Sequence, residues 1–432
     1  MCTNILLNAP VTPGKEEPRL HVSARVMELP GYPTSMIYQV PRGQQFPLAP
    51  PPLRNPLIWK NTYGFVGIAK TRPEFDVFPI FADGLNEEGM SCGALWLAGA
   101  VYPKDEAGAA INLFYSDFVA WVLGNFASVI ELEAALDLGR IHVVNPLPSK
   151  DDPLYLPLHF IAIDKTGASL VVEFIDGIMR KYGPSYDSAH KNGLGASANG
   201  VLTNGPGYDW QRTNLEIYSN LTPTGTKTST SSVYPFVGSG LVGMPGDSTP
   251  PARFVRGAMI QHSLSMLEKN GDGWLPAPWH HTLPGRAHGY ADSVQALVNI
   301  ALQAVQVVMA TPYGTLLTPS SAKGAGATKE TLHVGDYSDW TVVRDHTHGV
   351  LYYVSAFNNI PQSIDLAALD FANDGDAQHF PHFPSIALLP PPPELGWHQD
   401  ATKSFTPPAY PGSPLTQARQ GAEAASRPAS RQ

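Results

Sequence analysis

Short apolar runs rich in Val, Ile, Phe and Tyr, several joined by tight-turn sequences, constrain this chain to a sheet-rich fold with antiparallel pairing. The runs are Phe65 to Ala69, Ser91 to Ala98, His159 to Asp164, Ser169 to Phe174, Thr341 to Arg344 and Val350 to Ala356. Asp164-Lys165-Thr166-Gly167 joins two of them and Asp345-His346-Thr347-His348-Gly349 two more, which is hairpin chemistry. Helical periodicity is clearest from Tyr115 to Leu136, where Phe118, Val119, Val122, Leu123, Phe126, Val129 and Leu132 share a face. A second stretch, Asp292 to Met309, does the same with Val294, Leu297, Val298, Ala301, Leu302, Val305 and Val308. These elements do not alternate as βαβ units. The expectation is therefore an α+β chain of layered antiparallel sheets with helices outside.

A length of 432 residues accommodates one large sheet-rich domain. From Pro384 the character changes to Pro390-Pro391-Pro392-Pro393 and then to Pro, Ser, Ala, Gln and Gly with few aliphatics. Such a composition cannot bury enough apolar surface to offset its ordering entropy. The expected division is one domain over residues 1–385 and a Pro-rich, disordered tail over 386–432. The net charge of −9, with no long basic run, lacks the phosphate-neutralising footprint of a nucleic-acid binder. No apolar stretch has the length of a membrane span, and no basic segment followed by an apolar core opens the chain. The literal expectation is a cytoplasmic protein, or a periplasmic one if the true start lies upstream.

Two cysteines, Cys2 and Cys92, are too few for a disulfide scaffold. Cys92 lies in an apolar run and reads as a small buried hydrophobe. Cys2 differs, because it directly follows Met1. A small residue there permits methionine removal, which leaves a thiol and an α-amine on one residue. With pKa values near ~8.5 and ~8, one group supplies sulfur and the other a base, as in N-terminal threonine nucleophiles. A tolerance for small residues at position 2 accounts for the cysteine equally well, so the position alone leaves both readings open.

Three other motifs lack the sequence context that their chemistry needs. Gly238-Ser239-Gly240-Leu241-Val242-Gly243 matches a dinucleotide fingerprint, but Met244-Pro245-Gly246-Asp247 follows it instead of a helix. Gly89-Met90-Ser91-Cys92-Gly93 matches a nucleophile elbow, yet the apolar run continues past the serine without opening a helix. The pairs His280 and His281, His346 and His348, and His379 and His382 lack zinc-site spacing and are expected in surface turns.

Five separated segments fall into one pattern. They are Met1-Cys2-Thr3, then Ala24-Arg25-Val26-Met27-Glu28, then Phe81-Ala82-Asp83-Gly84-Leu85-Asn86-Glu87-Glu88-Gly89-Met90, then Leu202-Thr203-Asn204-Gly205-Pro206, and a stretch from Gly240 to Pro250 followed by Ala252-Arg253-Phe254. Together they resemble the choloylglycine hydrolase family of N-terminal-nucleophile hydrolases, which contains penicillin V acylases and conjugated bile salt hydrolases. The resemblance covers roughly Cys2 to Leu366.

The resemblance implies an αββα four-layer sandwich, a small-molecule amide substrate, and no cofactor or metal. It implies Cys2 as nucleophile, Arg25 as the cation beside the sulfur, and Asn204 as oxyanion donor. Arg253 is a supporting cation, and Glu28 stands where many members carry the Asp that orients the amine. Met27, Phe75 and Ala82 match positions lining the acyl pocket. Trp96 replaces the asparagine of bile salt hydrolases with an aromatic residue, as in penicillin V acylases. That leans the expected substrate towards penicillin V or an N-acyl homoserine lactone, ahead of conjugated bile salts. Members commonly form homotetramers through an extended hairpin, here matched by a short Thr- and Ser-rich stretch, Glu216 to Val237. Two rivals predict differently. One is a serine hydrolase at Ser91; the other is a non-catalytic ligand-binding protein whose Pro-rich tail docks a partner.

Overall fold

A computed structural model describes residues 2–10, 18–28, 35–48, 51, 53–70, 80–104, 111–145, 147, 155–185, 198–223, 240–269, 293–309, 316–320, 332–356, 358–372, 383–388 and 399–405. Two large sheets form its centre. The first has six strands in the order Cys2–Pro10, Arg19–Glu28, Ser338–Asp345, Val350–Ser355, Asn358–Asp365 and Gln399–Asp400. The second has eight, in the order Ile178–Tyr182, Ser169–Ile175, Leu158–Ile163, Ser91–Trp96, Ile80–Asn86, Phe65–Lys70, Ser35–Val40 and Ser385–Ala387. Every pairing in both sheets is antiparallel except that of Gln399–Asp400 with its neighbour.

Strand alternation explains the stacking, because successive side chains leave opposite faces of a sheet. Ile37, Val66, Ile68 and Leu85 of the eight-stranded sheet meet Trp340, Val342, Leu351, Tyr353 and Ile364 of the six-stranded sheet. The intervening residues Tyr38, Val40, Phe65 and Phe81 join an outer core that includes Phe118, Val119, Val122, Leu123, Val129 and Leu132. On the other side, Ile5, Leu7, Val22, Ala24 and Val26 pack against Ala296, Leu297, Val298, Ala301 and Val305 of helix Ser293–Met309. The layers thus run helix, sheet, sheet, helix, the expected αββα sandwich. Both faces of each sheet are buried, which is why the strands read as nearly continuous apolar runs.

The periodic stretch Tyr115 to Leu136 is not one helix. A 3-10 turn, Tyr115–Asp117, leads into helix Phe118–Asn125, and a second helix, Val129–Asp137, starts after a break at Phe126, whose φ of −122° and ψ of 137° are extended. Capping chemistry outweighs periodicity there. Ser128 Oγ accepts the Glu131 N–H at 3.3 Å and the Glu131 carboxylate accepts the Ala127 N–H at 3.1 Å, a reciprocal arrangement like a capping box. Asn86 Nδ2 donates to the carbonyls of Leu123 and Phe126 at 2.9 and 2.8 Å, satisfying the end of the first helix.

Two further expectations are revised. The boundary after residue 385 falls within strand Ser385–Ala387, and Ile386 and Leu388 fill the core between the sheets. Ala401 is also buried and donates its N–H to Ser363 O at 2.7 Å. Short strands at and past the expected boundary, Ser385–Ala387 and Gln399–Asp400, supply one edge of each sheet. Residues 406–432, and residues 224–237 of the stretch matched to the tetramer hairpin, lie outside the described residues. His346 is not on the surface: it is 1% exposed, donating from Nδ1 to Gly89 O at 2.9 Å with Nε2 2.8 Å from Ser23 Oγ. His280, His281, His379 and His382 lie outside the described residues. No helix of the described residues is long and apolar enough to cross a membrane.

Candidate active site

Cys2 opens the edge strand of the six-stranded sheet and is 3% exposed. It faces the second sheet, since Cys2 and Leu6 pack with Leu95 and Ile161, whereas Ile5 and Leu7 face the helices. Register places Met27 opposite Cys2 and Arg25 opposite Asn4. Arg25 and Met27 therefore share the face of the sulfur. Met27 Sδ lies 3.4 Å from Cys2 Sγ, and Arg25 Nη2 lies 3.8 Å from it.

Arg25 is fully buried and anchored on the other sheet. Nη1 forms a 2.7 Å ion pair with Asp83 Oδ2, Nη2 donates to Ala94 O, and the guanidinium lies 5.2 Å from the Trp340 ring. Burial opposes its charge, but Asp83 and Cys2 outweigh that, and the Arg25 pKa is held above its ordinary value. Asp83 is shared with Arg344, whose Nη1 lies 3.3 Å from Oδ1, and Arg344 Nη2 donates to Asn4 Oδ1 at 2.7 Å. Gly93 makes room for this pair, since a Cβ there would stand 2.8 Å from Asp83 Oδ2 and 3.0 Å from Arg25 Nη1.

Asn204 reaches Cys2 from a distant loop. Asn4 and Leu202 exchange backbone hydrogen bonds at 2.7 and 3.0 Å, which docks the loop on the N-terminal strand. Asn204 Oδ1 then accepts the Cys2 N–H at 3.0 Å and Arg253 Nη2 at 2.7 Å, while Nδ2 donates to Trp96 O at 2.7 Å. Two donors onto Oδ1 fix the amide's orientation, and an amide nitrogen carries two hydrogens. One N–H remains beyond the bond to Trp96.

Arg253 is fully buried near the start of helix Pro250–Lys269. Its Nη1 donates to Cys2 O and Thr3 Oγ1, both at 2.6 Å, and Nε donates to Ser248 O at 3.0 Å. Cys2, Arg25, Asn204 and Arg253 are thus brought together. Glu28 is 1% exposed, one residue beyond the cross-strand partner of Cys2, and its carboxylate accepts from Ser338 Oγ at 3.5 Å. Ala82 is half-buried in the core between the sheets and its carbonyl accepts from Arg25. Trp96 is 41% exposed, open to solvent. Phe75 lies outside the described residues.

Ser91 is fully buried within strand Ser91–Trp96. Its Oγ lies 3.4 Å from Ile163 O, and no helix follows, so the strand-to-helix elbow of a serine hydrolase is absent at this serine. Burial raises the Cys92 pKa far above that of a free thiol, leaving it inert. Gly240 to Gly243 form a loop with positive φ at Gly240, Leu241 and Gly243. Among the described residues no cluster of His, Cys, Asp and Glu could hold a metal ion. Asp83 and Arg344 were not singled out by sequence reasoning. Asp83 stands in a motif segment without a visible partner, and Arg344 is one cation in an apolar strand.

Residues 2–273 match the family described as linear amide C-N hydrolases, choloylglycine hydrolase family. A bile salt hydrolase/transferase of Clostridium perfringens is 34% identical over 201 residues, 45% of this chain and 56% of that protein. One from Lactiplantibacillus plantarum is 32% identical over 234 residues, 51% of this chain and 65% of its own length. A penicillin V acylase of Pectobacterium atrosepticum is 29% identical over 211 residues, 48% of each chain. These matches therefore span only about half to two thirds of the curated relatives. Among solved structures, a conjugated bile acid hydrolase from Clostridium perfringens superposes with a TM-score of 0.63 at 24% identity, covering 92% of this chain and 100% of that one. Penicillin V acylase from Agrobacterium tumefaciens gives 0.59 at 20% identity, covering 94% and 98%. With the family matched over more than half its length, this chain belongs to the choloylglycine hydrolase family of linear amide C–N hydrolases.

Proposed function

We propose that this chain hydrolyses a linear, non-peptide amide through a thioester on Cys2. The observation that carries the reading is convergence: Arg25, Asn204 and Arg253, from three distant segments, all contact Cys2. Removal of Met1 turns the Cys2 nitrogen into an α-amine, the base beside the sulfur. Sulfur attacks the carbonyl carbon, its proton passes to the amine, and the tetrahedral oxyanion forms beside the remaining Asn204 N–H. The C–N bond breaks as that proton moves to the leaving amine. Water then attacks the thioester, releasing the acid and restoring the thiol.

Arg25 favours the thiolate by its charge, Arg253 holds the Cys2 carbonyl and Asn204, and Glu28 is assigned to the amine. Trp96 orients Asn204 through its carbonyl, and its exposed ring offers an aromatic face to an acyl group. Met27, Ala82 and Phe75 are assigned to the acyl side. Penicillin V or a long-chain N-acyl homoserine lactone is the preferred substrate on this reading. A second reading, conjugated bile salt hydrolysis, is favoured by the 34% identity with the Clostridium perfringens protein.

Two measurements test the proposal. Mass spectrometry of the purified chain is expected to show Met1 absent, and Cys2→Ala to abolish turnover with the thermal melt retained; a fully active Cys2→Ala protein refutes the mechanism. Assaying penicillin V, taurine- and glycine-conjugated bile salts and N-acyl homoserine lactones at matched concentrations then separates the two substrate readings. A dominant bile salt rate overturns the role given to Trp96.

A further inference from the structure

The peptide that carries Asn204 is held by buried groups that take no part in the chemistry above. His159, from strand Leu158–Ile163, is fully buried, with Nε2 2.9 Å from Thr203 O and Nδ1 2.8 Å from Glu173 Oε1. A carbonyl can only accept, so Nε2 carries a proton; Nδ1 and Glu173 share another between them. Both Glu173 oxygens also accept the Tyr208 N–H, at 3.1 and 3.0 Å. That contact is the start of helix Tyr208–Leu215, so the carboxylate ties the helix to the imidazole.

Gln211 on the same helix makes a second clamp. Its Nε2 donates to Asn204 O at 2.7 Å and Pro206 O at 2.8 Å, and its Oε1 accepts from Thr203 Oγ1 at 2.8 Å. The consecutive carbonyls of Thr203 and Asn204 thus each receive a buried side-chain donor. The backbone on the near side, at Leu202, is already paired with Asn4. Thr203 and Asn204 are buried, so their carbonyls depend on these side chains in place of water, and the bonds converge on the one residue whose amide must be placed accurately.

We propose that His159, backed by Glu173 and paired with Gln211, is a positioning residue that holds the Thr203–Asn204 peptide so that the Asn204 amide stays fixed beside Cys2. This rests on the reading of Asn204 as oxyanion donor. An oxyanion donor acts only if it is in place before charge develops, and a misplacement of ~1 Å costs on the order of 10²-fold in rate.

The test compares His159→Leu, Glu173→Gln and Gln211→Leu with the parent on whichever panel substrate it turns over fastest, alongside iodoacetamide alkylation of Cys2. His159→Leu removes the donor to Thr203 and is expected to lower kcat by roughly 10- to 100-fold. KM and the alkylation rate stay within about twofold, because sulfur and acyl pocket are untouched. Glu173→Gln can donate to Nδ1 while accepting from Tyr208, so the Thr203 bond survives and kcat stays within about threefold of the parent. If His159→Leu does not fold, Gln211→Leu carries the same expectation through the Asn204 carbonyl. A parental kcat in the leucine variants overturns the proposal, and so does alkylation that slows in step with kcat. Hydrogen exchange gives a substrate-free reading: the Asn204 and Gly205 amides should exchange faster in His159→Leu while those of strand Cys2–Pro10 do not, and equal protection refutes the clamp. Failure of the catalytic reading shows separately, as an active Cys2→Ala protein.

Discussion

Asn204 shows how a single side chain becomes a directed donor. Its oxygen is occupied by Cys2 N–H and Arg253, so the amide cannot flip without leaving two donors unpaired. Asn204→Ala is expected to lower kcat by about 10²- to 10³-fold, read in steady-state kinetics with the alkylation rate of Cys2 as control. Asp83 carries a different burden. It stands between two fully buried guanidiniums, and removing one partner from a buried charge network strands the others without water or counter-charge. Asp83→Ala is therefore expected to cost about 3–5 kcal/mol, measured as a lowered urea midpoint. The motif around Asp83 is legible in the sequence, but its function is not. Its partners lie 58 and 261 residues away, and no local pattern records a charge pair at that distance.

At the level of elements, legibility follows periodicity. Helix Ser293–Met309 covers one sheet face with one side of its surface, so its apolar residues recur at helical spacing and the element is visible. Helix Pro250–Lys269 escapes notice because polar residues such as Arg253, Arg256 and Gln261 point into the protein. These three donate to Cys2 O, Val308 O and Leu6 O respectively. Pro250 at its first position is the local trace that remains. The strand Cys2–Pro10 is equally hidden, since all but Asn8 of its nine residues are buried and alternation is lost. The break after Phe126 has the opposite character: Ser128 and Glu131 announce a helix start, and the apolar period obscures it. Ser128→Ala is expected to lower stability by about 0.5–1 kcal/mol, seen as a small fall in urea midpoint with catalysis unchanged.

The molecule as a whole stores a pH dependence in its sandwich. His346 closes a hairpin of one sheet onto the Gly89 turn of the other, and burial pushes its pKa down from 6.5 to about 3. Above pH 6.5 neither the folded nor the unfolded chain holds a proton there. Below it the unfolded chain takes one up first, so this residue's stabilising contribution is lost as pH falls towards 3, by about 1.4 kcal/mol per unit. His346→Gln is expected to flatten that part of the acid limb, measured as urea midpoints at pH 7.5, 5.5 and 4.5. An unchanged slope contradicts the assignment.

The sequence by itself determined the layered α+β class, because apolar runs, turn residues and helical periods are local and repeat within a few residues. It also marks the candidate site, since Cys2, Arg25, Asn204 and Arg253 stand in recognisable segments whatever their separation. Only the tertiary structure decided which charges meet. The ion pairs of Asp83, the clamp of His159, Glu173 and Gln211, and the burial of His346 are set by sheet register and loop docking. Those interactions act over a few ångströms between residues that the chain keeps far apart.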